Sequence, residues 1–397
     1  SDSGRPLEGL RVIEMGQLLA GPFTGTILAY FGAEVIKVEP LLGEQMRLMG
    51  KPINELPAMF FSCNRGKQSL AMDLKSDPGK QVLWRLIEEA DVLLQNFRPG
   101  AMQRMGFAEE EVRAKNSRLI YVSISGFGEH GPYAHQRVYD PIIQALSCAT
   151  DIQANRITRD PEMFRVIIAD KVASLTAAQA IASALYHRER SGDGQHIKVS
   201  MLDAMLAFFW PEGMGGITYA DNEYDPSETS GSMDLIYPTQ DGFITAGVIS
   251  DKEWVGMCRA LDREDLIEDP RFATAGARLQ HVQARKEITM AEIAKWPSAD
   301  ILERLQAHDV PNAPLLRRME LLDHPQIQAS ETIQRTHFEG FGEVRQARPA
   351  ARFSETPSEI RGPAPKLGEQ SKSILAGLGY SAEETQKLID AGVIKGA

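Results

Sequence analysis

The chain has 397 residues, of which 43% are hydrophobic and 24% are charged, and its formal net charge is -11. These values are typical of a globular protein of roughly two or three domains, and they argue against a disordered or fibrous protein. The acidic balance argues against nucleic acid or an anionic membrane as the main partner, because phosphate groups are bound mostly by basic surfaces.

The first 40 residues predict the start of a parallel sheet. A strand, a helix and a second strand follow one another, which is a βαβ unit. Glu39 ends the second strand, where an acidic residue can hold the ribose of a dinucleotide. Gly16, Gly21 and Gly25 lack the G-x-G-x-x-G spacing, so we disfavour NAD and an NAD-dependent oxidoreductase. The three elements are predicted at residues 10–15, 18–31 and 34–39.

A polar loop follows the next predicted strand, at residues 90–95. The loop is Asn96-Phe97-Arg98-Pro99-Gly100-Ala101, and Arg104 lies one helical turn further on. Loops at the carboxyl ends of parallel strands are where such sheets bind ligands. An aromatic ring, an amide and two guanidinium groups suit an adenine and its phosphates, although a solvated turn is equally compatible with this composition.

Another strand is predicted at residues 119–125, followed by a loop that ends in Arg137-Val138-Tyr139-Asp140 and by a helix at about 141–147. No G-x-S-x-G motif surrounds Ser123 or Ser125, so a hydrolase nucleophile elbow is not indicated. The eight histidines show no paired spacing typical of a metal site.

Asp170 is the candidate for the chemistry. It follows the short apolar run Val166 to Ile168, which predicts a buried segment, and it begins an alanine-rich helix suited to close packing. Free backbone N–H groups and the helix dipole favour an ionised carboxylate there, which predicts a usable but weakly basic nucleophile. The alternative is a plain N-cap whose side chain bonds the amides of the next turn.

The second half of the chain predicts a smaller domain. A turn containing Asp241-Gly242 indicates a β-hairpin, and the helical tail is expected to return to the first domain. The predicted elements are a turn at 191–194, a strand at 196–199, a helix at 201–210, a linker at 211–233, strands at 235–237 and 243–248, helices at 252–261, 278–295 and 298–307, and two final helices.

Two further features indicate a cytoplasmic protein. No apolar run approaches the roughly 20 residues of a membrane span, and no charged-then-apolar leader opens the chain. The cysteines, at positions 63, 148 and 258, are far apart and odd in number. This favours reduced thiols over a disulfide framework or a zinc site.

Taken in order, a set of short motifs resembles the class III coenzyme A-transferase family, also called the CaiB/BaiF family. Each motif is weak alone, but the ordered set runs nearly from end to end. The matching residues are Leu7 to Val12, Ala20-Gly21-Pro22, Gly32 to Glu39, Asn64, Lys67, Met72-Asp73-Leu74-Lys75, Asn96 to Gly100, Gly126-Phe127-Gly128, Gly131-Pro132-Tyr133, Asp170, Gly192 to Gln195 and Leu367-Gly368-Glu369.

The resemblance implies an α/β fold and an interlocked, ring-like homodimer. A Rossmann-like large domain with a parallel sheet is built from both chain ends, residues 1–210 and 326–397. The linker at 211–233 leads to a smaller inserted α+β domain at 234–325. Coenzyme A, acyl-CoA and a small carboxylic acid are the implied ligands, with no metal.

The resemblance also implies the roles of individual residues. Asp170 attacks the acyl-CoA thioester, giving an aspartyl anhydride and then an aspartyl-CoA thioester, which the acceptor acid reopens. Each step needs oxyanion donors, such as backbone N–H groups or the amide of Gln17. The implied coenzyme A contacts are Leu19, Ala20, Met72, Asp73, Leu74, Lys75, Asn96, Phe97, Arg98, Arg104, Arg137, Val138, Tyr139 and Asp140.

Two alternatives remain within the same resemblance. Acyl-CoA racemases pair the aspartate with a histidine about where Tyr139 stands, and a phenol with an ordinary pKa near 10 is a poor substitute. A coenzyme A-binding protein without turnover is disfavoured by the presence of Asp170. Some relatives also have glutamine at Leu19, an arginine at Pro40 and a glycine at Ala169. The acyl donor and the acceptor acid do not follow from the sequence.

Overall fold

The structure is a computed structural model, and it describes residues 4–53, 56–155, 158–225 and 235–396. The chain forms two compact units, one of Ser1–Gly213 with Glu331–Ala397 and one of Met214–Ser330. Within the predicted linker, Gly213 still belongs to a helix and Gly215–Thr218 form a short one. Residues 226–233 of that linker, and the predicted domain start at Asp234, lie outside the described residues.

The secondary structure is as follows. The N-terminal part of the first unit has strands β1 (Arg11–Glu14), β2 (Glu34–Glu39), β3 (Pro52–Ile53), β4 (Leu56–Pro57), β5 (Gln68–Ala71), β6 (Val92–Gln95), β7 (Ile120–Ser125) and β8 (His196–Ser200). Its helices are α1 (Ala20–Tyr30), α2 (Ala58–Cys63), α3 (Asp77–Glu88), α4 (Ala101–Met105), α5 (Glu109–Lys115), α6 (Asp140–Leu146), α7 (Ala149–Ile152), α8 (Ala169–Ser191) and α9 (Met201–Gly213). The second unit has α10 (Gly215–Thr218), β9 (Ile236–Pro238), β10 (Phe243–Ala246), α11 (Asp251–Ala260), α12 (Ala275–Gln280), α13 (Val282–Ile293), α14 (Ser298–Ala307), β11 (Asn312–Pro314) and α15 (Pro325–Ala329). The chain then returns to the first unit with β12 (Ile333–Phe338), β13 (Gly342–Ala347), α16 (Ser371–Gly377) and α17 (Ala382–Asp390).

Six strands of the described chain form one sheet in the order β5-β2-β1-β6-β7-β8. Every pairing in this sheet is parallel. The predicted α/β class with a parallel sheet is therefore confirmed. In this doubly wound order the connections reverse direction between β1 and β6, and the crevice at their carboxyl ends is where such sheets bind ligands.

The edge of the sheet at β5 is covered by the end of the chain. The backbone of Gln370 donates to the carbonyl of Ser69 at 3.2 Å, and its side chain accepts from the Ser69 N–H at 2.8 Å. Ile394 forms an isolated β-bridge with Met72. Both residues are buried in the same core cluster as Leu375 of α16. These contacts satisfy the polar groups that an edge strand otherwise leaves open.

Helix α8 packs closely on α1, as its alanine content predicted. Its residues Ala173, Ala177 and Ala184 are buried on one face. The hydroxyl of Ser174, on the same face, donates to the carbonyl of Ala20 at 2.7 Å. Side chains this small let the two backbones approach, which fixes the helix that carries Asp170.

The run before α8 differs from the prediction. Val166 is 52% exposed. No strand includes residues 166–168 among the described residues, and a three-residue run without a partner strand has no sheet to bury it. The predicted buried segment is therefore wrong at Val166.

The second unit contains the predicted hairpin. Strands β9 and β10 pair antiparallel, with Phe243 opposite Pro238. The helix expected at 278–295 divides at His281 into α12 and α13. A separate core surrounds Trp254 and Ile244.

Candidate active site

Asp170 lies where the first turns of α1 and α8 meet. It is the second residue of α8, and Ala20 is the first residue of α1. The backbone N–H groups of Ala20 and of Asp170 itself act on the Asp170 carboxylate and lower its pKa. A cavity of about 440 Å³ opens at this point. We call it the Asp170 cavity.

Half of the predicted site residues line the Asp170 cavity, and the other half do not. Among the described residues, its lining includes Gln17, Leu19, Ala20, Asn96, Val138, Tyr139, Asp140 and Asp170. The remaining predicted contacts do not line it; they are Met72, Asp73, Leu74, Lys75, Phe97, Arg98, Arg104 and Arg137.

Burial raises the pKa of Asp170 to about 6, and the negative charge of Asp140 adds to the rise. The N–H groups of Ala20 and Asp170 and the charge of Lys171 act in the opposite direction but do not offset it. The prediction of a weakly basic carboxylate is therefore wrong. The loss of hydration raises the pKa of Asp170 more than the N–H groups at the helix N-terminus lower it. At neutral pH such a group is mostly ionised yet more basic than an ordinary aspartate.

Asp140, not Asp170, caps helix α8. Its Oδ2 accepts the backbone N–H of Ala169 at 2.6 Å, and its Oδ1 accepts from Gln144 Nε2 at 2.6 Å. The N-cap position of α8 is Ile168, which makes no side-chain cap bond. The alternative of Asp170 as a plain N-cap is therefore wrong. Asp140 is 29 residues away in sequence, so no local motif indicates this capping bond.

The loop between β1 and α1 is held by two side chains. Asn96 pairs with the backbone of Gln17, whose N–H donates to Asn96 Oδ1 at 2.7 Å and whose carbonyl accepts from Nδ2 at 2.9 Å. The N–H of Leu18 donates to Glu44 Oε2 at 2.7 Å. The amide of Asn96 is thus engaged with the protein itself. Sequence reasoning missed Glu44, which stands in a loop with no recognisable motif.

Glu44 belongs to a buried ion cluster that we define as Glu14, Lys37, Glu44 and Lys67. The Lys37 ammonium lies 3.3 Å from Glu14 Oε2 and 3.0 Å from Glu44 Oε1, and Lys67 lies 3.0 Å from Glu14 Oε2. All four side chains are at most 1% exposed. Two positive and two negative groups balance, so the cluster carries no net charge into the interior. Lys37 is therefore unavailable to phosphate groups.

The other predicted contacts differ in their surroundings. Met72 is buried, and Asp73 Oδ1 accepts the N–H of Lys75 at 2.9 Å. Phe97 packs against the same core cluster as Met72. The cationic members Lys75, Arg98, Arg104 and Arg137 are all exposed.

A second cavity, of about 560 Å³, lies beside the Asp170 cavity at the ends of β6, β7 and β8. Arg98 and His196 line it. The hydroxyl of Ser123 is 2.9 Å from His196 Nε2. Among the described residues no group of three or more His, Cys, Asp or Glu is arranged to hold a metal ion. No helix in the described part of the chain has the length and apolar character needed to cross a membrane.

Comparisons with known proteins cover nearly the whole chain. The model of CoA-transferase family III matches residues 7–371. A succinate–glutarate CoA-transferase of Agrobacterium fabrum is 34% identical, with 94% of this chain and 96% of that protein covered. A formyl-CoA:oxalate CoA-transferase of Streptomyces coelicolor is 29% identical, with 99% and 100% covered.

A solved structure agrees with these matches. The crystal structure of a CaiB/BaiF family protein from Brucella suis has a TM-score of 0.82 and 31% identity, with 94% of this chain and all of that chain covered. The chain therefore belongs to CoA-transferase family III, and it is a class III CoA-transferase.

Proposed function

We propose that Asp170 is the nucleophile that passes coenzyme A from an acyl-CoA thioester to a carboxylic acid. The observation that carries this proposal is its position at two helix N-termini in the Asp170 cavity, with a pKa near 6. Most of the carboxylate is ionised at neutral pH, and its raised basicity makes it a better nucleophile than a solvated aspartate.

The transfer has four balanced steps. The carboxylate of Asp170 attacks the thioester carbonyl and expels the coenzyme A thiolate, which leaves a mixed anhydride. The thiolate attacks the aspartyl carbonyl, which releases the donor acid and forms an aspartyl-CoA thioester. The acceptor carboxylate attacks this thioester and forms a second anhydride. The released thiolate then takes the new acyl group and frees Asp170.

Each step develops negative charge on a carbonyl oxygen beside Asp170. The N–H of Ala20 acts on the Asp170 carboxylate and lowers its pKa, and Leu19, the preceding residue, lines the same cavity. These groups, with the side-chain amide of Gln17 at the cavity wall, are the proposed oxyanion donors.

We propose that coenzyme A extends from the Asp170 cavity towards the exposed cations outside it. Exposed guanidinium and ammonium groups on an acidic protein suit the phosphates of the ADP portion, and the ring of Phe97 suits its adenine. The proposed contacts are Leu19, Ala20, Met72, Asp73, Leu74, Lys75, Asn96, Phe97, Arg98, Arg104, Arg137, Val138, Tyr139 and Asp140. For Asp140 the proposal is indirect, because both its oxygens already accept intramolecular hydrogen bonds.

The acceptor proposed here is a short dicarboxylic acid. The names of the relatives support this choice, since they include succinate, glutarate and oxalate. We also propose an intertwined homodimer in the cytoplasm. Large apolar side chains exposed on α8 and α9, such as Leu175, Tyr186 and Phe208, support a partner surface. The free thiols of Cys63, Cys148 and Cys258 fit a reducing compartment.

The test traps the covalent intermediate. The protein is incubated with succinyl-CoA or another donor that turns over, then treated with hydroxylamine or borohydride, and its peptides are analysed by mass spectrometry. Modification at Asp170, absent in Asp170→Asn, supports the proposal. Turnover without modification of Asp170 contradicts it, and exchange of an α-hydrogen with D2O in place of acyl transfer would indicate the racemase alternative.

A further inference from the structure

Three consecutive residues before α1 are each held by a different side chain. The carbonyl of Gly16 accepts from Lys37 Nζ at 3.1 Å. Gln17 is paired at both backbone groups with Asn96. The N–H of Leu18 donates to Glu44. A loop fixed at every residue cannot adjust independently, so the direction of the residues that follow is set by these contacts.

Leu18 has a backbone conformation that leucine rarely adopts. Its φ angle is 61°, in the left-handed region. Outside glycine this region carries a steric cost, and it persists only where surrounding contacts impose it. The contact at this residue's own N–H is Glu44 Oε2, at 2.7 Å.

The residues after Leu18 lead directly to the nucleophile. In the part of the chain that the structure describes, no hydrogen bond engages the N–H of Leu19. Leu19, Ala20 and Asp170 line the Asp170 cavity together, and the N–H of Ala20 acts on the Asp170 carboxylate and lowers its pKa. The peptide planes that carry these two N–H groups therefore depend on the turn made at Leu18.

Glu44 has little freedom of its own. Its Oε1 lies 3.0 Å from Lys37, its Oε2 holds Leu18, and its backbone N–H donates to Glu39 Oε2 at 3.2 Å. Lys37 is in turn fixed by Glu14. The buried ion cluster thus orients one carboxylate against one backbone N–H.

We infer that Glu44 is a positioning residue for acyl transfer: by holding Leu18 in its left-handed conformation, it aims the N–H groups of Leu19 and Ala20 at the oxygen that becomes charged. The inference rests on the proposed function, because it requires Asp170 to be the nucleophile. Oxyanion donors act through exact placement, and a displacement of about 1 Å costs on the order of a hundredfold in rate. Glu44 is predicted to affect turnover more than binding.

The test variant is Glu44→Gln, which keeps the size of the side chain. A glutamine offers one oxygen and one amide nitrogen. If its oxygen faces Leu18, its NH2 meets the Lys37 ammonium; if its oxygen faces Lys37, its NH2 meets the Leu18 N–H. Either orientation opposes two donors, so the hold on Leu18 is weakened while packing is preserved.

The matched control is Ser69→Ala. The Ser69 hydroxyl is buried, donates to Glu39 Oε1 at 2.9 Å and accepts the N–H of Gly368 at 3.0 Å. The Ser69→Ala variant therefore removes buried hydrogen bonds near Glu44 without touching residues 16–20. Both variants are compared at a temperature where each is fully folded, as judged by circular dichroism.

We expect Glu44→Gln to lower kcat by about tenfold to a hundredfold while KM for acyl-CoA stays within about threefold. The rate of Asp170 adduct formation, measured by hydroxylamine trapping in single turnovers, should fall by the same factor. Ser69→Ala should keep kcat within about twofold of the wild type.

The outcomes distinguish a failure of the proposed function from a failure of the positioning role of Glu44. If the wild-type protein forms no adduct at Asp170, the proposed function fails. If the adduct forms in the wild type and Glu44→Gln forms it equally fast, or if both variants lose the same kcat, the positioning role fails. If Glu44→Gln does not fold, Glu44→Asp is used instead. It keeps the charge but shortens the side chain by one carbon, so that one carboxylate no longer reaches both Lys37 and the N–H of Leu18, and an unchanged kcat in that variant overturns the inference.

Discussion

Asp140 and Asp170 act on the same end of helix α8, one by capping it and the other by presenting a carboxylate from its first turn. The Oδ2 of Asp140 accepts the N–H of Ala169, the residue immediately before Asp170. The charge of Asp140 also helps to raise the pKa of Asp170. One buried acid therefore fixes the position of the second and raises its basicity.

Asp140→Asn tests this relationship. An asparagine oxygen can still accept the N–H of Ala169. Its NH2 group then faces the side-chain NH2 of Gln144, and two donors cannot form a hydrogen bond with each other. Gln144 cannot turn freely, because its Oε1 accepts the N–H of Phe164 at 2.9 Å. We expect a loss of about 1–3 kcal/mol in the free energy of unfolding. Removing the negative charge should also lower the pKa of Asp170, so the acid limb of the activity profile moves to lower pH.

Urea denaturation and pH-rate profiles measure the two effects. Asp203→Asn is the control, because Asp203 is exposed on α9. If the pH-rate profile of Asp140→Asn equals that of the wild type, the charge of Asp140 does not act on Asp170.

The activity of the wild-type protein should depend on pH through Asp170. In the proposed mechanism the attacking form is the carboxylate, and its pKa in the free protein is raised to about 6. We therefore expect kcat/KM to be level above about pH 7 and to fall by about tenfold per pH unit well below pH 6. Initial rates across this range, in buffers of constant ionic strength, check the prediction. A profile that stays level down to pH 4.5 would contradict it.

Asp170→Asn should make the protein more stable at neutral pH. The folded-state pKa, about 6, lies above the ordinary aspartate value of 3.8. The carboxyl group therefore favours the folded state when protonated, and this contribution is lost as the pH rises through 6. Replacing the group should stabilise the fold by roughly 2–3 kcal/mol above pH 7, with the difference shrinking towards pH 4. Chemical denaturation at several pH values measures it, and a difference that does not vary with pH would count against the raised pKa.

Lys37→Met should strongly destabilise the first unit. The substitution leaves Glu14 and Glu44 buried without the cation between them. Removing one partner of a buried ion pair costs about 3–5 kcal/mol. Lys387→Ala is the control, since its pair with Glu383 is exposed on α17 and should contribute less than about 0.5 kcal/mol. Equal unfolding midpoints for the two variants would show that the buried ion cluster adds nothing to stability.

Arg104→Ala should weaken coenzyme A binding and leave the chemistry intact. Its guanidinium is exposed in α4 and lies outside the Asp170 cavity. Loss of one charged hydrogen bond to a phosphate predicts an increase in KM for acyl-CoA of about tenfold, with kcat nearly unchanged. Steady-state kinetics measure both constants. Arg345→Ala, on β13, serves as the control for a lost surface charge, and a fall in kcat alone in Arg104→Ala would refute the assignment.

The sequence located five of the six strands of the parallel sheet, because their apolar runs are local patterns, but it did not predict β5. Glu34–Glu39 was predicted at its observed bounds, since its apolar content and flanking residues are sufficient to mark it. The assignment of Asp170 as the nucleophile rests on its position in an ordered set of motifs and stays a prediction. The raised pKa of Asp170 was not predicted, because it depends on burial and on Asp140, a residue 30 positions earlier.

Two other features were beyond sequence reasoning for the same reason. Lys37 lies inside strand β2, and its pairing with Glu14 and Glu44 in the interior makes it structural. Val166 has the composition of a buried strand residue but finds no neighbouring strand. Both outcomes depend on how the segment packs in the folded chain, which local composition does not reveal.

The cover over strand β5 has a consequence for synthesis of the protein in the cell. Residues 370 and 393–395 protect an edge that is made by residues 68–72. At about 5–20 residues per second, a ribosome needs roughly 15–60 s to add the intervening chain. During that interval the nascent sheet exposes unpaired amide and carbonyl groups, the feature that recruits other strands. A nascent chain stalled before residue 370 should therefore be the form that depends most on chaperones.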